Sequence, residues 1–321
     1  DPAIEGVSDW FAGFDCYNQL VTTYTNQNLF KTPERVETLM QFSDSLEKIS
    51  ENCGGYLCNG LPEAVLDLAL LWAPAGPLVR NDDSPSWSWA GWLGQVNYPF
   101  DPTNCPDLHG ANSTLWFKSE IREFHLGCES SPHTIRRTQE PKLRIEYPEY
   151  NEPLPDASDE VDPNSGTLQF WTQTISARGW VVEQLKRSSG QIPCSHLVNP
   201  KGKHCGVVMD YEHSLPNFDA SAKYEFALLS RNFSQEPIST VKRSKIPTIH
   251  PPGTPIWESK RFLWNEDVVD YDPREYKAGP WAVLNVLLIK WEGGKAERVG
   301  VARIHEDAWA SASPRRKFVV L

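Results

Sequence analysis

The cysteines and histidines of residues 194–205 carry the chemistry of a metal site. Cys194-Ser195-His196 and His204-Cys205 supply two thiols and two imidazoles, a ligand set that can complete a tetrahedral zinc centre. Their spacing departs from the common Cys-x₂₋₄-Cys pattern, and adjacent ligands such as His204 and Cys205 diverge on most backbones. Cys194, His196, His204 and Cys205 are therefore candidate ligands with no metal assigned. Cys53 and Cys58 lack a second pair. Nucleophilic catalysis finds no Gly-x-Ser-x-Gly elbow, and phosphate binding finds no Gly-x-Gly-x-x-Gly or Walker loop. Asp82-Asp83 read as turn residues rather than an acid–base pair. No catalytic or cofactor-binding residue is assigned, and no cofactor is expected.

The most unusual string is Ser84-Pro85-Ser86-Trp87-Ser88-Trp89-Ala90-Gly91-Trp92. As a strand it would place Trp87 and Trp89 on one face and Ser86, Ser88 and Ala90 on the other. The indoles could stack on sugar rings or bases. Adjacent tryptophans in water are an aggregation hazard, however, so the string reads as a folding anchor whose indole N–H groups need internal partners.

These residues need a framework, and its bounds follow from composition. A chain of 321 residues, 40% hydrophobic and 23% charged, has room for a sizeable core. A net charge of −11 opposes nucleic acid and anionic membrane surfaces. The most apolar stretch, Trp281 to Trp291, is too short to span a bilayer and is broken by Asn285 and Lys290. The start, Asp1-Pro2-Ala3-Ile4-Glu5, has neither Met nor the basic and apolar regions of a signal peptide, and reads as a cut from a longer protein. Seven cysteines, an odd and sparse set, fit reduced thiols in the cytoplasm.

Periodicity divides the chain near Pro74. Before it, Phe14, Tyr17, Leu20, Val21 and Tyr24 recur at helical spacing. Thr32-Pro33-Glu34 opens a second helix through Val36, Leu39, Phe42, Leu46 and Ile49, which Gly54-Gly55 ends. A third helix, apolar nearly all round and hence buried, spans Pro62 to Trp72. After Pro74 the period becomes two, at Leu115 to Arg122, Leu143 to Tyr147 and Leu168 to Phe170. Val283 to Trp291 and Ala296 to Ile304 form a hairpin across Glu292-Gly293-Gly294-Lys295. A last strand covers Phe318 to Leu321, and the acidic run from Pro148 to Pro163 reads as a solvated loop. The expected class is α+β: a helical segment over 1–74 and a Trp-rich, mainly antiparallel β domain, sandwich or barrel-like, over 75–321.

The order of these features resembles the downstream region of fungal heterokaryon-incompatibility (HET) domain proteins. The strings are Leu20-Val21 with Tyr24; Leu29-Phe30-Lys31-Thr32-Pro33-Glu34-Arg35-Val36; Gly55-Tyr56-Leu57 with Gly60-Leu61; and Leu70-Leu71-Trp72. Pro85-Ser86-Trp87-Ser88-Trp89-Ala90 is the most diagnostic, and Glu297 to Ile304 is similar to the closing Arg-x-Gly strand through Arg298 and Gly300, with Trp309 after it. Glu34 stands where the family usually has Asp. The resemblance implies a regulatory or recognition part in allorecognition and programmed cell death. It further implies that the first helices pack on an upstream HET module, with other incompatibility proteins as further partners. Pro85, Ser86, Trp87, Ser88, Trp89, Arg298 and Gly300 would be structural, and the fragment non-catalytic. A carbohydrate-binding or glycan-hydrolysing β protein is the alternative that 13 Trp and ten Tyr suggest, and a zinc module on the Cys/His group is a third.

Overall fold

The computed structural model describes residues 17–26, 56–98, 117–127, 133–137, 145–146, 166–184, 195–210, 223–232, 255–258, 261–264, 271–279 and 281–321. Tyr17, Leu20, Val21 and Tyr24 lie on a helix, α1, over residues 17–26, with Tyr17 and Val21 fully buried. The second expected helix, Thr32 to Gly54, falls outside the described residues. Strands β1 (Leu57–Cys58) and β2 (Leu61–Pro62) form a small hairpin through Asn59 and Gly60, both at positive φ. The helix expected over Pro62 to Trp72 shrinks to a 3₁₀ turn, Glu63–Val65, and one α-turn, α2, at Leu66–Ala69. Neither has a side-chain N-cap. Pieces this short are held by packing rather than propensity. Their all-round apolar character does lead to burial: every residue from 61 to 74 is buried. Helix is thus a minor part of the described chain, and a helical amino-terminal portion is not what these residues show.

Four two-residue strands follow: β3 (Ala73–Pro74), β4 (Val79–Arg80), β5 (Trp92–Leu93) and β6 (Val96–Asn97). β4 pairs with β5 inside the pair β3 and β6, so the chain doubles back around the Trp string. Asp82 and Asp83 occupy a turn, as their types imply. The string itself is not the strand its alternation suggests. It bends into a 3₁₀ turn at Trp89–Gly91 because the Ser88 hydroxyl accepts the Ala90 N–H at 3.0 Å, capping the turn.

The remainder is mainly one large antiparallel sheet. In chain order its strands are β7 (Phe117–Ser119), β8 (Phe124–Leu126), β9 (His133–Thr134), β10 (Ile145–Glu146), β11 (Leu168–Ser176), β12 (Val181–Gln184), β13 (Ser195–Val198), β14 (His204–Asp210) and β15 (Lys223–Asn232). A separate two-stranded ribbon joins β16 (Pro255–Glu258) to β17 (Arg261–Trp264). The long hairpin β18 (Val283–Glu292) and β19 (Lys295–His305) follows, then helix α3 (Glu306–Ser311) and strand β20 (Arg315–Val320). The spatial order is β12-β13-β14-β19-β18-β15-β11-β8-β9, with β20 also on β11, and β7 on β15. β7 and β10 form a parallel pair. The β18–β19 turn is the two-residue loop Gly293-Gly294, both at positive φ, closed by Glu292 opposite Lys295.

The strongly apolar character of β18 has a simple cause. Along β15, Ala227 and Leu229 enter one core while Phe226 and Leu228 enter another, so the sheet is covered on both faces. On β18, Leu287 and Ile289 serve the first core and Val286 and Leu288 the second. The first core joins α1 and residues 58–98 to the sheet; the second gathers Trp180, Tyr271, Tyr276 and Trp309. Residues on both sides of Pro74 share the first core. Among the described residues no helix is long and apolar enough to cross a membrane.

Candidate functional site

Strand β19 carries one extra residue. Leu288 lies opposite Gly300 and Ile289 opposite Arg298, which leaves Val299 as a bulge. A bulge shifts the alternation of a strand by one and re-aims a side chain. Beyond it Ala302 and Ile304 face the second core, whereas Arg298 faces the first and meets the Trp string. Gly300 lies beyond the bulge, buried opposite Leu288.

Arg298 is fully buried and stacks its guanidinium 3.8 Å from the centre of the Trp72 ring. Its Nη1 donates to the carbonyls of Leu70 at 2.8 Å and Trp87 at 3.3 Å, and its Nη2 donates to the carbonyl of Trp72. The Arg298 backbone N–H donates to the Ser86 hydroxyl at 3.0 Å. Trp72 Nε1 donates to the same Trp87 carbonyl at 3.0 Å. Three strings far apart in sequence, Leu70 to Trp72, Ser86-Trp87 and Arg298, therefore close one node between the amino-terminal segment and the sheet.

The other indoles of the Trp string are satisfied in the same manner. Trp92 donates to the Ser86 carbonyl at 2.9 Å, Trp87 to the Gly166 carbonyl at 2.9 Å, and Trp89 to the Tyr17 hydroxyl at 3.1 Å. Tyr17 in turn donates to the Gly60 carbonyl at 3.0 Å and shares a 2.9 Å hydrogen bond with Tyr98. Burial pushes its phenol far above the ordinary range, against the opposing effect of the Tyr98 and Trp89 hydrogen bonds. Tyr24 packs edge-on to Trp89. Tyr17 and Val21 of α1 are thus covered from within this chain, with Leu20 and Tyr24 packed half-buried against the same core. Ser88 is buried, and its hydroxyl donates to the Asn59 carbonyl at 2.6 Å, tying the capped turn to β1–β2. Pro85 supplies a carbonyl so close to Gly91 that a Cβ there would sit 2.3 Å from it. Each buried indole removes on the order of 200 Å² from water, about 5 kcal/mol at 25 cal/mol per Å².

A second buried polar group went unnoticed in the sequence. Glu63 and Asp67 lie four residues apart in the apolar segment, both essentially unexposed. Glu63 accepts the Tyr56 N–H at 3.1 Å and the Arg136 N–H at 3.4 Å, with His133 Nε2 at 3.4 Å. Asp67 accepts the Ser119 hydroxyl at 2.5 Å and Arg137 Nη1 at 3.1 Å on each oxygen. Arg137 also donates to the Ile121 carbonyl at 2.8 Å. The only sequence sign was two acids at helical spacing inside a run with no other reason to be polar. These carboxylates bolt residues 117–137 onto the amino-terminal segment.

The Cys/His group is brought together only in part. His196 and His204 stack with ring centres 3.9 Å apart and planes 26° from parallel. Stacked rings aim their nitrogen lone pairs side by side rather than at a common point about 2.0–2.1 Å from each, as zinc requires. Cys205 belongs to the second core instead, donating its thiol to the Leu197 carbonyl at 3.5 Å, and burial pushes that thiol to about 12. Cys194 lies outside the described residues, and among those described no three His, Cys, Asp or Glu side chains form a metal-binding group. Cys58, buried beside Glu63, is likewise pushed up to about 12 by desolvation and then by the carboxylate charge, the reverse of an activated nucleophile.

Compared with known protein families, with curated proteins and with solved structures, the chain matches none. The geometry therefore stands by itself. Its most highly organised polar atoms are closed to solvent, and what they accomplish is the joining of distant segments.

Proposed function

We propose that this chain is the carboxy-terminal region of a fungal HET-type incompatibility protein, acting in the cytoplasm as a regulatory or recognition part of allorecognition and programmed cell death. Its partners are the upstream HET module and other incompatibility proteins, and by itself it is non-catalytic. What supports this most is that the resembling strings, Leu70 to Trp72, Ser86-Trp87 and Arg298, converge on one buried node although they are separated by up to 228 positions. Strings that repeat because they hold a fold together are expected to meet in this way. The same node argues for a scaffold, since Trp72, Trp87, Trp89 and Trp92 are all buried and offer no platform for a sugar. This reading keeps the division expected above, a helical segment over 1–74 and a sandwich or barrel-like β domain over 75–321. The first helices are the part that would pack on the upstream module. Reading the parent gene upstream of Asp1 tests the proposal: a frame encoding a HET module is expected, and an export leader there would overturn it.

A further inference from the structure

Asn59 and Gly60 make the turn between β1 and β2, at φ 48° and 83°. Two successive residues at positive φ form a type I′ turn, for which Asn-Gly is a preferred pair. Ladder pairing runs through Leu57↔Pro62 and Cys58↔Leu61, so neither turn residue belongs to it. Distant hydroxyls hold both turn carbonyls instead: Ser88 donates to that of Asn59 at 2.6 Å and Tyr17 to that of Gly60 at 3.0 Å. Asn59 itself is exposed. A Cβ at residue 60 would meet the Trp89 ring at 3.0 Å, so glycine is fixed there by space as well as by φ.

An exposed asparagine followed by glycine carries a reaction of its own, because no side chain shields the glycine nitrogen. The Gly60 nitrogen attacks Asn59 Cγ. The N–Cγ bond forms, the Cγ–Nδ2 bond breaks, and Nδ2 leaves as ammonia with the proton from the Gly60 nitrogen. The product is a succinimide ring, and water then adds across one of its two acyl C–N bonds. Opening at Cγ leaves aspartate. Opening at the Asn59 backbone carbonyl carbon leaves isoaspartate, whose main chain runs through Cβ and is one carbon longer. The fold opposes the first step. In a type I′ turn the Cβ of the first residue and the following nitrogen lie on nearly opposite sides of the Cα–C bond. Ring closure must rotate that bond, which swings the Asn59 carbonyl off the Ser88 hydroxyl.

We propose that Asn59-Gly60 is a self-modification site, a deamidating turn that Ser88 and Tyr17 hold in its unreactive geometry. Transient opening of the β1–β2 hairpin lets the ring close, and hydrolysis to isoaspartate makes the change permanent. The lengthened turn no longer presents both carbonyls to Ser88 and Tyr17, the two hydroxyls that tie the hairpin to the Trp string and to α1. Conversion therefore loosens that junction and marks chains that have opened there. The inference is independent of the family origin proposed above.

The test ages the whole chain in mildly alkaline buffer, locates conversion by peptide mapping with mass spectrometry, and counts isoaspartate by enzymatic carboxyl methylation. Isoaspartate at residue 59 is expected, formed about fivefold faster in Ser88→Ala, the scale of one neutral hydrogen bond. Sub-denaturing urea is expected to speed it in the unaltered chain, and serves alone if Ser88→Ala does not fold. Aged protein separated by ion exchange is expected to melt below Asn59→Asp, which has the same charge and an unlengthened chain. Absence of isoaspartate at residue 59, a rate indifferent to both Ser88→Ala and urea, or aged protein as stable as Asn59→Asp overturns the proposal.

Discussion

Replacing Arg298 with methionine probes the node with least disturbance of shape. The backbone N–H of residue 298 keeps its bond to Ser86, and the Trp87 carbonyl keeps the Trp72 indole. What is lost is the donor to the Leu70 carbonyl, the donor to the Trp72 carbonyl and the cation over the Trp72 ring. Each stripped carbonyl costs about 1–3 kcal/mol and the ring contact about 2 kcal/mol in a desolvated setting. Removing a buried charge returns about 2 kcal/mol of desolvation. Mid-range values leave a net loss of about 4 kcal/mol. Urea unfolding followed by tryptophan fluorescence reads this directly, and Arg298→Lys, which keeps the charge but not the forked geometry, is expected to lose most of the same amount. A loss below about 1 kcal/mol for Arg298→Met would refute the idea that this guanidinium joins the two parts of the molecule.

Other consequences concern separate parts of the fold. Gly91→Ala places a methyl 2.3 Å from the Pro85 carbonyl oxygen, so the turn must shift, and a loss of about 2–3 kcal/mol is expected by urea unfolding. Arg137→Met strands the buried Asp67 carboxylate, with an expected cost of about 3–5 kcal/mol; a cost near zero would mean that the carboxylate is solvated. Alkaline pH acts through Cys58 and Cys205, whose thiols are raised from 9.0 to about 12 in the fold. The folded state then holds protons that the unfolded chain releases, so the contribution of these two thiols is level below pH 9 and falls from there towards 12. Unfolding free energies at a series of alkaline pH values check the sign, and stability that rises across this window would contradict it.

How much of this was legible in the sequence depends on whether the signal was local. Gly293-Gly294 between two apolar runs determined a hairpin, because positive φ at both turn positions leaves few alternatives. The stripe of α1 and the burial of residues 61–74 followed from hydrophobic spacing alone. The Trp string misled because alternation of serine and tryptophan imitates a strand, whereas the structure is decided by Ser88 capping a 3₁₀ turn and by distant acceptors for the indoles. The Pro62–Trp72 segment misled for a related reason: apolar composition revealed burial but not helix length. The bulge at Val299 had one local sign, Gly300 inside a strand pattern, yet which face Arg298 takes depends on strand pairing. The carboxylates of Glu63 and Asp67 find their partners about seventy residues away, which spacing does not encode.

The most direct measurement is a double-mutant cycle between Trp72→Leu and Arg298→Met, read as urea unfolding free energies of the four proteins. Residues that share a stacked ring contact and the Trp87 carbonyl as a common acceptor should couple by about 1–3 kcal/mol. Additivity within about 0.3 kcal/mol would contradict the account, because the segment and the sheet would then be joined by something other than this buried node.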